Sequence, residues 1–264
     1  MAHPFTRQQT FVADTTVITA DYENNLQDGL AAVAIPGYSK IKFSAWSHNR
    51  ADVNITLIEP WIAKDAGNGN YVGVPAQTGV SVSPTGVNSW LYVYAVCTNG
   101  VVTYLVSATA PEATKRYKTG DETQRYVLAV YCDGSGYIRR FTARDGRYTF
   151  AEEYFVVGGR GATVTSDSYP TWTTVTSTAD WWPNTAFTQR LLCTGYQNST
   201  VVGWQLLIRH WSSTADLFSA RSQYYQHVQN AMTSQIFEIL VGDFQWMGTY
   251  TNIETRILID GFDE

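Results

Sequence analysis

From Tyr38 onward, apolar and polar positions alternate with a period of two, the pattern of strands with one buried face. Residues 40–47 and 53–59 alternate or run apolar, and the polar stretch His48-Asn49-Arg50-Ala51-Asp52 separates them. Ala66-Gly67-Asn68-Gly69-Asn70 reads as a turn. The clearest signal is the apolar run of residues 90–97, then Thr98-Asn99-Gly100, then a second apolar run over 101–106. Asn-Gly between two such runs predicts a two-residue hairpin, because both central residues of the tight turn need positive φ. A second hairpin is expected where residues 125–132 meet Asp133-Gly134-Ser135-Gly136 and continue as Tyr137-Ile138-Arg139-Arg140-Phe141. Asp145-Gly146 marks a third turn, leading into Arg147-Tyr148-Thr149-Phe150. Between the first two hairpins, residues 111–123 form a polar connection.

The first segment follows a different period. Thr19 can cap a helix whose first turn carries Asp21 and Glu23, where the helix dipole favours acids. Tyr22, Leu26, Leu30 and Val33 fall on one face, and Pro36-Gly37 ends the element. A helix of about 15 residues is marginal alone in water, so this one needs a partner. Its own sheets and the same helix of neighbouring subunits are both open. In the second half, Gly158-Gly159-Arg160-Gly161 is a candidate boundary, and residues 162–184 are rich in Thr and Ser. Strands are expected over 190–196, 201–211, 237–241 and 255–260, with one short possible helix over 224–232. Short strands at this spacing, with Gly, Asn and Asp turns, indicate an all-β fold of antiparallel sandwiches or barrels. The organisation expected is an N-terminal segment over 1–37, a β-sandwich over 38–158 and a second, distal β-sandwich over 159–264.

Composition agrees with the strand reading. The chain of 264 residues is 14% aromatic and only 16% charged, with 17 Tyr, 11 Phe and 9 Trp. A net charge of −5 gives no general positive field for phosphate backbones, which argues against nucleic-acid binding. The basic clusters are Lys115-Arg116 with Lys118, and Arg139-Arg140 with Arg144 and Arg147. The second is expected on a solvated sheet face. No stretch approaches the ~18 apolar residues of a membrane span, and the N-terminus has no apolar secretory core. The three cysteines, Cys97, Cys132 and Cys193, are far apart and sit in apolar runs, which predicts buried free thiols.

Catalytic constellations are not legible. His3, His48, His210 and His227 are dispersed, and none has a cysteine at metal-ligand spacing, so no metal site or cofactor is expected. Gly134-Ser135-Gly136 sits in a hairpin loop and not in a nucleophile elbow. Glu152-Glu153 are adjacent, so on a strand they point to opposite faces and cannot share a substrate. Asp121, Glu122, Asp133 and Asp145 fall in turns, where carboxylates serve local hydrogen bonding. The aromatics Tyr169, Trp172, Trp181 and Trp182 lie in polar, loop-like sequence. They are candidates for a ligand or receptor surface, since an aromatic face stacks on a sugar ring; plugging the end of a sandwich is the other reading.

Three stretches carry a resemblance. Residues 11–27 pair an extended strand with a short helix. Residues 90–141 run from an aromatic-rich hairpin through a Pro-containing link with a Tyr and basic residues. They then give a strand, Asp133-Gly134-Ser135-Gly136-Tyr137-Ile138, and a further strand. Residues 235–264 end in Ile257-Leu258-Ile259-Asp260-Gly261-Phe262. In these the chain resembles structural proteins of tailed bacteriophages, in particular fibre and spike proteins, over about two thirds of its length. Leu128 and Cys132 stand where smaller or more polar residues are usual, so the likeness is to a type.

The resemblance implies a jelly-roll-like β-sandwich fold, a homotrimer and a place on the outside of the virion, with the protein made in the host cytoplasm. It implies attachment to other virion proteins through the N-terminal segment, with Tyr22, Leu26, Leu30 and Val33 as the oligomerisation face. The expected function is therefore that of a non-enzymatic tail fibre or spike that contacts the host surface, a surface glycan included. A capsid-attached head fibre or decoration protein, a polysaccharide-degrading tailspike enzyme and a cellular lectin-like module are the alternatives.

Overall fold

A computed structural model describes residues 40–152, 155–157, 173–176, 180–183, 185–198, 206–210, 232–248 and 254–264. The expected N-terminal helix, with Tyr22, Leu26, Leu30 and Val33, lies outside the described residues, as do Gly158-Gly159-Arg160-Gly161, Tyr169 and Trp172.

Among the described residues all regular structure is strand. The first half holds β1 (Phe43–Ser47), β2 (Val53–Leu57), β3 (Trp61–Lys64), β4 (Tyr71–Val74), β5 (Gln77–Val82), β6 (Ser89–Thr98), β7 (Val101–Ser107), β8 (Tyr117–Lys118) and β9 (Asp121–Cys132). The second half holds β10 (Phe141–Arg144), β11 (Arg147–Phe150), β12 (Phe155–Val157), β13 (Thr173–Val175), β14 (Arg190–Asn198), β15 (Leu206–His210), β16 (Met232–Leu240), β17 (Phe244–Gly248) and β18 (Glu254–Asp263). Met232, expected to close a short helix, instead opens β16.

The strands pair antiparallel. The large sheet runs β16-β14-β18-β11-β10-β1-β2-β5, with β12 also on β18. A second sheet runs β7-β6-β9-β8; β13-β17-β15 and the β3-β4 hairpin form two smaller ones. The large sheet takes strands from both sides of Gly158: Tyr148 of β11 stands opposite Phe262 of β18.

Local pattern explains the individual strands. In β1 the buried residues are Phe43, Ala45 and Ser47, and in β2 Val53, Ile55 and Leu57, strict period-two alternation. Strand β6 is buried along nearly its whole length. That is the pattern of a strand covered on both faces, and it explains the unbroken aromatic and aliphatic run there. The two main sheets meet through rings. Trp90 of β6 lies edge-on to Phe262 of β18 at 5.6 Å, and Phe262 stacks on Tyr148 at 4.1 Å. Each such pair contributes about 0.5–1.5 kcal/mol beyond its area burial. The Tyr148 hydroxyl accepts the main-chain N–H of Ala129 in β9 at 3.2 Å, which pins one sheet to the other.

The Asn-Gly hairpin forms as the pattern requires. Thr98 faces Val101, and Asn99 and Gly100 take φ of 49° and 79°. The Asp145-Gly146 turn joins β10 to β11 with φ of 49° and 84°. The second expected hairpin closes but is not extended: the Asp133 N–H donates to the Tyr137 carbonyl and the Arg139 N–H to the Tyr131 carbonyl, both at 2.8 Å. After the Asp133–Gly136 turn the chain makes one isolated bridge, Cys132 to Ile138, and then leaves for the other sheet, where β10 pairs with β1. Ile138 is buried at this crossing, and Phe141 is buried where it opens β10.

Cys97, Cys132 and Cys193 are buried free thiols, as expected. In the second basic cluster Arg140, Arg144 and Arg147 are exposed, as expected, and Arg139 is the exception. It is buried, and its guanidinium lies 4.6 Å from the Tyr131 ring centre and 4.9 Å from that of Phe150. The flat cation is held by two aromatic faces, an arrangement that arginine tolerates better than lysine.

Candidate functional site

The crossing from β9 to β10 opens a cavity of about 300 Å³ lined by Arg50, Tyr131, Asp133, Arg139, Glu152 and Asp180. Four separated stretches supply it: the β1–β2 connection, the end of β9 with its turn, the bend after β11, and the residues before Trp181. Asp133 is the anchor. Its Oδ1 accepts the N–H groups of Ser135 and Tyr137, both at 2.9 Å, and its Oδ2 accepts Nη2 of Arg50 at 2.8 Å. The Tyr137 N–H, with the Ser135 N–H and the charges of Arg50 and Arg139, holds this carboxyl below the usual carboxylate range against the effect of burial.

Arg50 links two acids. Its Nε lies 3.6 Å from Glu152 Oε1, which also accepts Nε of Arg140 at 2.9 Å. The Arg50 guanidinium sits over the Tyr137 ring at 5.2 Å. Its backbone is left-handed, with φ of 64°, a conformation that a residue of this kind rarely adopts and that clusters at functional positions. The Arg50 carbonyl accepts the Ile138 N–H at 2.8 Å, which fixes that backbone. On the far wall, Nη1 of Arg139 donates to the Asp180 carbonyl at 3.0 Å, and its Nη2 is 3.9 Å from Oδ2 of the same residue. Burial, then the charge of Asp180, pushes the Tyr131 hydroxyl up.

Of the expected ligand-surface aromatics, Trp181 and Trp182 are described. Trp181 is 3% exposed, packed on Phe244 at 6.0 Å and edge-on to Trp182 at 5.9 Å. The indole is part of the hydrophobic core. Trp182 is half-buried against the same core. Glu152 lies in a bend and not on a strand, so alternation does not govern where it points. Arg50 and Asp180 have no local sequence signal. They become partners of Asp133 and Arg139 only through the fold, across separations of 83 and 41 residues.

Two other carboxyls are enclosed and serve the frame. Asp65, 1% exposed, accepts N–H groups from Gly67 at 2.7 Å and from Asn99 and Gly100, both at 3.1 Å. The Asn99 N–H first, then those of Gly67 and Gly100, hold it below the usual range. Glu264 takes the Tyr126 hydroxyl on Oε1 at 2.6 Å, and Lys40 Nζ donates to its main-chain oxygen at 2.6 Å. Among the described residues no group of three His, Cys, Asp or Glu side chains is placed to hold a metal ion. No protein-family model matches the chain, and no curated protein matches it.

Proposed function

We propose that the chain is a structural component of a tailed-phage virion: a trimeric fibre or spike on the particle exterior, non-enzymatic, that contacts the host surface. The observation that carries the reading is the build of the chain. Antiparallel sheets packed through ring contacts, with two tight two-residue hairpins, make a stiff scaffold of the kind that the resemblance implies. The fold reading that goes with it is a jelly-roll-like β-sandwich. The packing of Trp90 on Phe262 and the Tyr148–Ala129 hydrogen bond between the two main sheets support it.

The cleft supports binding over cleavage. A glycoside hydrolase needs one carboxyl held up as a proton donor beside a second left ionised. Here Asp133 is held down, and Glu152 is engaged by Arg140 and Arg50. The Tyr22, Leu26, Leu30 and Val33 face within residues 1–37 would join subunits and fix the trimer to neighbouring virion proteins.

Light scattering on a sizing column tests the proposal. The full chain is expected at about three times 29.5 kDa. A version lacking residues 1–37 is expected to fall to monomer if the helix is the clamp. A full-length monomer across the accessible concentration range would overturn the free-standing fibre.

A further inference from the structure

We propose that copies of this chain meet through an uncharged surface built around β7, with that strand turned to the symmetry axis of the oligomer. The argument starts from sequence. Residues 66–111 contain no Asp, Glu, Lys, Arg or His, so all 18 Lys and Arg and all 23 Asp and Glu lie elsewhere in the chain. The stretch supplies β4, β5, β6 and β7. The fold keeps it together. The Tyr104 hydroxyl of β7 donates to Gln77 Oε1 of β5 at 2.6 Å, and the Ala66 N–H donates to the Cys97 carbonyl of β6 at 2.7 Å. A neutral run of sequence thus becomes a neutral surface around β5 and β7.

Unpaired strand edges invite another chain, and proteins guard them by shortness, charge or a bulge. Among the described strands, β16 and β5 end the large sheet, and β7 and β8 end the second. Strand β16 carries Glu238, which pairs with Arg147 and Arg190. Strand β8 is two residues long and follows Lys115 and Arg116. Strand β5 shifts register against β2 between Ile55 and Leu57, and its Gly79 takes φ of 70°. Strand β7 has none of these guards. Its seven residues pair with β6 without a register shift and carry no charge and no proline. Val102, Tyr104 and Val106 pack on the core, whereas Val101, Thr103 and Leu105 are exposed, Val101 by 64% and Leu105 by 44%.

Charge selects the occupant. The chain carries a net charge of −5, so two copies that approach through other faces meet like charge overall, and the neutral surface is where that repulsion is least. A partner docking through Lys, Arg, Asp or Glu would strip water from those groups with no counter-charge to receive them. The surface that fits is uncharged, with β-branched and hydroxyl side chains and a strand edge of its own. The same surface of another copy has that chemistry. Depletion of charge is also the compositional mark of an interface core. Copies that turn one surface to a common axis form a closed assembly.

For the number of copies the inference rests on the trimer reading, which it deepens by naming a surface outside residues 1–37. The two fail separately. A trimer whose β7 strands lie apart overturns this inference and leaves the fibre reading standing; β7 strands linked in a dimer do the reverse.

The test is cysteine cross-linking in the full-length chain. Cys97, Cys132 and Cys193 are buried, so a cysteine on β7 is the accessible thiol. With diamide as oxidant, Thr103→Cys is expected to give a disulfide-linked pair on a non-reducing gel; in a trimer the third copy stays single. Thr142→Cys, exposed on β10, is the control and is expected to stay single. Leu105→Lys and Thr103→Lys place charge at exposed positions. Each is expected to raise the concentration of half-dissociation, read by light scattering, about tenfold or more, with an unchanged near-ultraviolet circular dichroism spectrum. Thr103→Ser, which stays neutral, is expected to leave it unmoved. A Thr103→Cys thiol that stays single and reacts freely with a maleimide would mean that β7 is open or reserved for another protein, and would overturn the proposal. So would cross-linking of Thr142→Cys at the same rate, association unmoved by both lysine variants, or a chain monomeric at every accessible concentration.

Discussion

The Asn99-Gly100 and Asp145-Gly146 turns share a backbone and differ in everything around it. Both close a two-residue hairpin with two successive positive φ angles. The first is held from beneath by a carboxylate: Asp65, 34 residues earlier than Asn99, takes the N–H groups of both turn residues. The space above Gly100 is open, with no atom within 4 Å of where a Cβ would stand. The second turn is held from above. The Glu264 N–H donates to the Gly146 carbonyl at 2.9 Å, and Lys40 lies across the turn on its way to the main-chain oxygen of Glu264. One carboxyl is rich in donors and kept ionised. The other is enclosed with one short hydrogen bond, and burial pushes it up. At Asp65 the N–H groups outweigh burial, and at Glu264 burial outweighs the hydrogen bonds and nearby cations.

The largest effect is expected from removing the support of the first turn. Asp65→Ala takes the shared acceptor from the N–H groups of Gly67, Asn99 and Gly100 at once, at a part-buried site. Each lost acceptor is costly, so the midpoint of thermal unfolding is expected to fall by roughly 10 °C. Differential scanning calorimetry measures it. A fall of a degree or two would mean that the turn holds itself and the cage is incidental.

Glycine replacements sharpen the contrast because the backbone cost is the same in both. Gly146→Ala adds a methyl group that collides with Nζ and Cε of Lys40 and reaches 3.0 Å from the main-chain oxygen of Glu264. Lys40 must leave its hydrogen bond, so the loss is expected at about 2–3 kcal/mol, close to 6 °C. Gly100→Ala meets nothing and carries the positive-φ strain alone, about 1 kcal/mol or 3 °C. Urea titration of the two variants side by side gives the difference directly. Equal losses would show that Lys40 gives way without cost.

Both turns could be seen in the sequence, because a two-residue hairpin is chosen by the two residues that form it. What supports each turn could not. Asp65 reaches Asn99 only after β3 and β4 have folded over the end of β6, and Lys40 and Glu264 are 224 residues apart. The same limit governs the cleft. Asp133 was legible as a turn residue, and it is one. Its second role, holding Arg50, depends on β1 and β2 being placed beside the crossing. The shortness of the second hairpin has a similar cause: the alternation of residues 137–141 fits a strand, but Ile138 is buried and its N–H donates to the Arg50 carbonyl instead of extending the ladder. The sequence places Arg139 at a strand and turn position, which by itself reads as a solvated sheet face. The rings that enclose it come from β9 and β11. Local pattern thus specified strands and turns, while the pairings that close the large sheet, β11 with β18 above all, follow from packing between distant segments.

The smallest expected effect, and the one that separates the two carboxyls most cleanly, comes from Glu264→Gln followed across pH. Burial raises the carboxyl of Glu264 above its unfolded value near 4.3. The Tyr126 hydroxyl, the charges of Arg116 and Lys40, and Thr185 act against that rise. A raised carboxyl binds its proton more tightly folded than unfolded. Its contribution to stability is complete below about pH 4 and is lost as pH climbs through the folded value, with ~1.4 kcal/mol at stake for each unit of displacement. Asp65, held down, runs the other way: its contribution is present above the ordinary range and is lost as pH falls. Glutamine keeps an acceptor for Tyr126 and cannot ionise. The variant is therefore expected to match the parent near pH 4 and to gain on it as pH rises, levelling at roughly 2 °C above the folded value. Because every other carboxyl is common to both proteins, the difference between the two melting curves isolates Glu264. A difference that stays flat from pH 4 to 8, or that grows toward acid, would place Glu264 with Asp65 among the donor-held carboxylates and dissolve the contrast between the two turns.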